Sequence, residues 1–168
     1  MRKLLSVIMA LFVINTAAQA DTFQISSHGD WKVQLYMGEN NNTSCDIYTS
    51  VDDVQLAVEF WNDQEVHLVL YRFSNEIEPV PSDITLTFNI DQASPFTFRR
   101  ASNYGGYIRF AHDASNTVWG TLLKEMSSGQ RLYFLDKNNK RLTPSFSLRG
   151  TSQAIADWKQ CIKRLGQV

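Results

Sequence analysis

The chain has 168 residues, 16 Lys and Arg against 17 Asp and Glu, 43% hydrophobic residues and two cysteines. This balance gives no basic surplus with which to grip nucleic acid or an anionic membrane, so both partner classes are disfavoured on electrostatic grounds. The length suits a single domain that builds its own core.

The first twenty residues read as a processing signal. Arg2 and Lys3 form a positive start, Leu4 to Ile14 is an apolar run of 11 residues, and Ala18-Gln19-Ala20 is a small-residue cleavage site. The run is shorter than the roughly 20 residues a membrane span needs. The reading is therefore 1–20 as a cleaved leader, 21–168 as one β-rich domain, and a location in the periplasm or outside the cell. The mature chain would keep 14 basic and 17 acidic residues, with Cys45 and Cys161 as its cysteines. In an oxidising compartment an isolated pair is most simply a disulfide. Closing so long a loop adds about 2–5 kcal/mol in the chain-entropy picture. Two free buried thiols are the alternative. Zinc has less support, because distant cysteines lack the paired spacing of its sites.

From Trp31 the chain reads mostly as strand. WKVQLYM (31–37) puts Trp31, Val33, Leu35 and Met37 on one face, with Lys32 and Gln34 on the other. GENNNTS (38–44) is a turn. CDIYTSV (45–51) alternates again, with Cys45, Ile47 and Thr49 together. VQLAVEFW (54–61) and EVHLVLYRF (65–73) are joined by Asn62-Asp63-Gln64 in a hairpin-like connection. The second is apolar on both faces in its middle, the mark of a central strand. EIEPVPSD (76–83) holds Pro79 and Pro81 and is a connector. ITLTFNI (84–90) directs Ile84, Leu86, Phe88 and Ile90 inward. PFTFRR (95–100) and YIRF (107–110) are shorter strands on either side of a bend at Gly105-Gly106.

The period changes in NTVWGTLLKEMSSG (116–129). Val118, Leu122 and Met126 recur at helical spacing, flanked by Trp119 and Leu123, and Gly129 is placed as a cap. Gly120 weakens the helix by about 1 kcal/mol, and a strand over 116–123 is the alternative. RLYFLD (131–136) and the segment to Leu142 form a hairpin around KNNK (137–140). SFSL (145–148) continues the second strand. Gly150 ends it, Thr151 or Ser152 caps a final helix, and Ala154, Ile155, Trp158, Cys161, Ile162 and Leu165 fall on one stripe. That stripe covers the sheet and brings Cys161 toward Cys45. The fold class expected is mainly β: an antiparallel sandwich or open barrel-like sheet with one or two short helices, including a C-terminal covering helix.

This order of features resembles the invasion-associated locus B family of exported bacterial proteins. The likeness lies in the Trp-x-Val opening strand, the run LLKEMSSGQRLYF, and a closing element in which Phe146, Leu148, Gly150, Ala154 and Cys161 match. The family usually carries a cysteine soon after the opening tryptophan, where this chain has Leu35. The resemblance implies a compact β-rich domain with a covering helix, associated with the envelope and with host interaction and lacking a defined catalytic centre.

Motifs for bond chemistry are sparse. His28, His67 and His112 show no paired metal-ligand spacing, and neither HExxH nor GxSxG occurs. No cofactor or metal is expected. Asp52-Asp53 and Glu76/Glu78 read as solvated turn acids, His67 as a satisfied sheet residue, and His112 as part of a turn. The candidate binding surface is NYGGYIRF with the preceding FTFRR: Arg99, Arg100, Tyr104, Tyr107 and Arg109. Tyrosine and arginine are the common anchors of interfaces. The alternative is a hairpin whose tyrosines cover the core edge. The functional expectation is a non-enzymatic exported protein that binds a protein or an envelope polymer, in an oligomeric state the sequence does not fix. An inhibitor or immunity protein against an envelope-directed enzyme is the second reading. A hydrolase assembled from distant loops, joining His112 to a carboxylate and a serine, and a small-ligand carrier stand behind it.

Overall fold

The computed structural model describes residues 20–72, 86–91, 96–98, 102–103, 107–113, 117–136 and 138–166. The leader reading (apart from Ala20), the proline connector 76–83 with Glu76 and Glu78, the Gly105-Gly106 bend, and Arg99, Arg100 and Tyr104 lie outside those residues.

Alternating sequence becomes strand almost throughout. One antiparallel sheet contains β1 (Asp21–His28), β2 (Trp31–Met37), β3 (Thr43–Val51), β4 (Val54–Trp61), β5 (Glu65–Arg72), β8 (Ser102–Asn103) and β9 (Tyr107–Asp113). Their order is β1-β2-β3-β4-β5-β9-β8, so β1 and β8 are edges and the sheet is open, not a closed barrel. A second sheet of order β11-β10-β6-β7 comprises β6 (Leu86–Ile90), β7 (Phe96–Phe98), β10 (Arg131–Leu135) and β11 (Phe146–Ser147). Two α-helices, α1 (Thr117–Ser128) and α2 (Thr151–Leu165), and a single 3-10 turn over Glu39–Asn41 complete the described fold. The expected class, mainly β with a covering C-terminal helix, is the one observed.

Tight turns account for the register. Asp52 and Gln64 take left-handed φ of 53° and 68° in the hairpins that join β3 to β4 and β4 to β5. Asn139 does the same after β10, with φ 61°, as the KNNK reading required. These turns set Cys45 opposite Phe60, Ile47 opposite Val58 and Thr49 opposite Leu56. Every second residue of β2 to β5 therefore points to one side. There Trp31, Val33, Cys45, Ile47, Leu56, Val58, Leu68 and Phe110 are all but fully buried beneath α2 and the smaller sheet.

The terminal helix is fixed by chemistry from several elements. Cys161 is joined to Cys45, closing 116 residues of sequence. The indole Nε1 of Trp158 donates to the Cys45 carbonyl at 2.6 Å. Ala154, Ile155, Trp158 and Cys161 are buried, with Ile162 and Leu165 packed at the margin. Outside this core, His28 Nε2 lies 2.8 Å from Asp157 Oδ2, linking the end of β1 to the helix. Leu35 and Cys45 are direct register partners across β2 and β3.

Several local expectations change. The residues 21–28, left unassigned by pattern, form the edge strand β1, in which Phe23 and Ile25 are exposed. Their apolar alternation is only Phe23-Gln24-Ile25 long, and a register shift between Gln24 and Ser26 then interrupts it. In α1 the buried face is Trp119, Leu122, Leu123 and Met126, while Val118 is 42% exposed; the stripe is rotated by one residue. The segment is nevertheless helix, not strand, and Gly129 closes it because a β-carbon there would meet Ile90 and Leu148. The cap of α2 is Gly150, with φ 93°, in place of Thr151 or Ser152. A side chain there would strike the His28 carbonyl. Thr151 sits inside the first turn, its hydroxyl donating to the Leu148 carbonyl. After Asp136 the return strand of the hairpin is reduced to a bridge between Leu135 and Arg141, and pairing resumes only at Phe146 with Leu132. His112 lies within β9, opposite Val66, not in a turn.

Candidate functional site

The face of the large sheet turned away from α2 is built from the other phase of the same strands. The pairing β2-β3-β4-β5 brings Gln34, Asp46, Glu59 and His67 into one row. The next row along contains Tyr48, Ala57, Val69 and Arg109, and the one after it Gln55, Tyr71 and Tyr107. Ala57 and Val69 are the small members. Between them and the taller aromatic side chains lies a cleft of about 370 Å³ that Tyr36, Trp61, Tyr71 and Tyr107 help to wall.

The charged row is buried. Asp46, Glu59 and His67 are 5%, 6% and 1% exposed. Glu59 is well held: the Tyr71 hydroxyl donates to its Oε1 at 2.5 Å and the Trp61 indole to its Oε2 at 3.0 Å. Burial, with the Glu59 carboxylate beside it, pushes the Tyr71 phenol well above its ordinary range. Nδ1 of His67 faces Glu59 Oε2 at 3.9 Å. Its Nε2 sits 2.7 Å from Arg109 Nη2 and 2.9 Å from Glu65 Oε2, between a group that needs its lone pair and one that needs its proton.

Asp46 is the group left in tension. The Gln34 amide donates to Oδ2 at 3.0 Å. Oδ1 has no hydrogen-bond partner, and neither has the nearby Ser44 hydroxyl. Burial first, and then the like charge of Glu59 directly opposite, push the Asp46 carboxyl up to about 7. The Gln34 and Ser44 side chains pull the other way without cancelling this. Desolvation and a like charge are the two recognised routes to such a shift.

Of the sequence-predicted surface, Tyr107 and Arg109 lie on this face; Tyr107 packs 5.4 Å from Tyr71, ring to ring. Sequence reasoning passed over Asp46 and Glu59. Their signal was present: acids are depleted in strand interiors, and both fall on the polar phase of strands whose other phase is mostly apolar. Asp52 and Asp53 are exposed turn residues, as read. A second cleft, about 480 Å³, runs between α1 and α2 over Trp119, Leu123, Ile155 and Trp158, with Lys124 and Lys159 beside it. Its walls are apolar. Among the described residues no cluster of His, Cys, Asp and Glu is arranged to hold a metal ion, and no helix is long and apolar enough to cross a membrane.

Comparison with protein-family models, with curated proteins and with solved structures finds no match.

Proposed function

We propose that this chain is an exported, non-enzymatic binding protein of the bacterial envelope that takes its ligand on the polar face of the large sheet. The observation that carries the reading is a charged row buried at the floor of an open, aromatic-walled cleft. Buried charges without full pairing are destabilising, and strongly shifted carboxyls concentrate at functional sites. The leader-like start and the Cys45–Cys161 disulfide support export.

Binding is favoured over hydrolysis by the placement of the acids. Asp46 and Glu59 are cross-strand neighbours on one surface, whereas the carboxylates of glycoside hydrolases flank the scissile bond from two sides. His112 belongs by register to the opposite phase of the sheet, with Val66, away from the acid row. The test is partner recovery from a cell-envelope extract. The protein with Tyr107→Ala and Arg109→Ala is expected to lose its partner while remaining folded, and Lys124→Ala with Lys159→Ala, at the other cleft, to keep it. Equal recovery by both variants contradicts the reading.

A further inference from the structure

We propose that the polar cleft binds a neutral oligosaccharide, its pyranose rings lying on the aromatic side chains and its hydroxyls meeting the Gln55 amide and the Tyr36 hydroxyl. The inference rests on the binding reading above and names its ligand class.

Tyr36 and Trp61 stand at one end of the cleft, both in register with Ser44, and Tyr71 and Tyr107 stand at the other, in the row of Gln55. Along β4 the two ends are six residues apart, Trp61 to Gln55, or about 20 Å of strand. All four aromatic side chains are half-buried, so each keeps surface open. Glu59 fixes them. Its two carboxylate oxygens accept from the Tyr71 hydroxyl and the Trp61 indole, which reach it from opposite ends. Tyr36 packs edge to face on Trp61 at 5.8 Å and Tyr107 lies obliquely on Tyr71 at 5.4 Å, so the held pair orients the other two. A β-carbon at Gly38 would meet the Tyr36 ring, and the glycine leaves room for it. Glu59 is therefore a positioning residue, and a platform set before the ligand arrives saves ordering entropy. With their donors spent on Glu59, Trp61 and Tyr71 offer the cleft chiefly carbon surface.

The polar groups left for a ligand are neutral. Among the described residues neither the Gln55 amide nor the Tyr36 hydroxyl has a hydrogen-bond partner. Amides and hydroxyls both donate and accept, which matches the hydroxyls of a sugar. The charged groups are engaged inside the protein: Glu59 as above, and Arg109 Nη2 with His67 at 2.7 Å and Glu65 at 3.4 Å. Asp46 Oδ1 and the Ser44 hydroxyl are closed to solvent and meet no ligand. Fixed carbon surface between groups that match hydroxyls suits a ring with apolar C–H faces and a polar rim, and a pyranose has that form. Few directional polar groups in an otherwise apolar concavity are the usual make-up of a ligand site.

A peptide fits this face less well. Laid here it would bury backbone N–H and C=O groups that need partners. The strands β3, β4, β5 and β9 are inner ones, paired on both sides, and have none to give; extended peptides find such partners at sheet edges. A proline-rich segment brings carbonyls that need donors, and the Trp61 indole is taken by Glu59.

Titration of the protein, followed by calorimetry and by the Trp61 indole N–H in NMR spectra, tests the assignment. The probes are cellotriose, maltotriose and triacetylchitotriose as neutral saccharides, trigalacturonate as an anionic one, and decaproline as a peptide. The expected result is that at least one neutral saccharide binds, shifts the Trp61 indole resonance, and binds more tightly than trigalacturonate or decaproline. Gln55→Leu removes the amide at similar size, and Tyr107→Ala removes one ring. Each should weaken that saccharide about tenfold or more, with the Trp61 indole resonance of the free variant in place as the sign that the fold and the Glu59 contact persist. Tighter binding of trigalacturonate or decaproline, saccharide affinity unchanged in either variant, or silence from all three neutral saccharides overturns the assignment. Partner recovery from envelope extract separates this from the reading it rests on. Loss of the partner in Tyr107→Ala with Arg109→Ala, while the saccharides stay silent, leaves the binding face standing without the saccharide; a partner kept by that variant, with the saccharides silent, overturns both.

Discussion

On one side of the large sheet, Val33, Cys45, Ile47, Leu56, Val58 and Leu68 are sealed under a helix and locked by a disulfide. On the other, displaced by a single residue along the same strands, Gln34, Asp46, Glu59 and His67 line up with one carboxylate oxygen unpartnered. The first side is satisfied chiefly by non-directional burial of apolar surface in a close-packed core. The second depends on directional partners and on charge. The difference teaches where each side spends its free energy: the stapled side holds the strands in register, and that rigidity keeps a repelling acid pair together on the open side.

The largest break in this comparison is at the staple. Replacing Cys45 and Cys161 together by alanine should lower unfolding stability by about 2–5 kcal/mol, read as a shift of the urea midpoint; reductant acting on the natural protein should reproduce it. Next comes the opposite face, with the opposite sign. Asp46 holds its proton to about 7 when folded and titrates near 3.8 when unfolded. The folded state therefore binds the extra proton between those values, and stability falls as pH rises through that window. Asp46→Asn should match the natural protein at pH 4 and exceed it at pH 8 by roughly 2–4 kcal/mol, as followed by melting curves across pH. Trp158→Phe removes the indole donor to the Cys45 carbonyl and should lower stability by about 1–3 kcal/mol. The smallest effect is at the rim of the helix. Asp157 is held below the usual carboxylate range by its hydrogen bond from His28, but the pair is partly exposed. Asp157→Ala should cost less than about 1 kcal/mol above pH 4 and nothing once acid protonates the carboxyl.

The two faces were also unequally legible. Period-two alternation in WKVQLYM and CDIYTSV, and the helical stripe ending in Cys161, are strong local signals because burial is coded residue by residue. They yielded the strands, the covering helix and the disulfide. The polar face is written in register instead. Asp46 and Glu59 are 13 positions apart, and only the positive-φ turn at Asp52 aligns them. Tyr107 and Arg109 were chosen for side-chain type, and the structure joins them to acids that no local window connects. Strand β1 escaped notice because its alternation, Phe23-Gln24-Ile25, is too short to stand out and runs into Ser26 and Ser27. The Gly150 cap was missed because its reason is a neighbour far in sequence, the His28 carbonyl.

The central claim is that an ionisable group lies buried and unmatched on the open face of a stapled sheet. Carbon-detected NMR of the side-chain carboxyls, followed across pH in the empty protein, measures it directly. The account predicts one aspartate resonance, abolished by Asp46→Asn, titrating at about 7; an Asp46 carboxyl that titrates near 3.8 would contradict it.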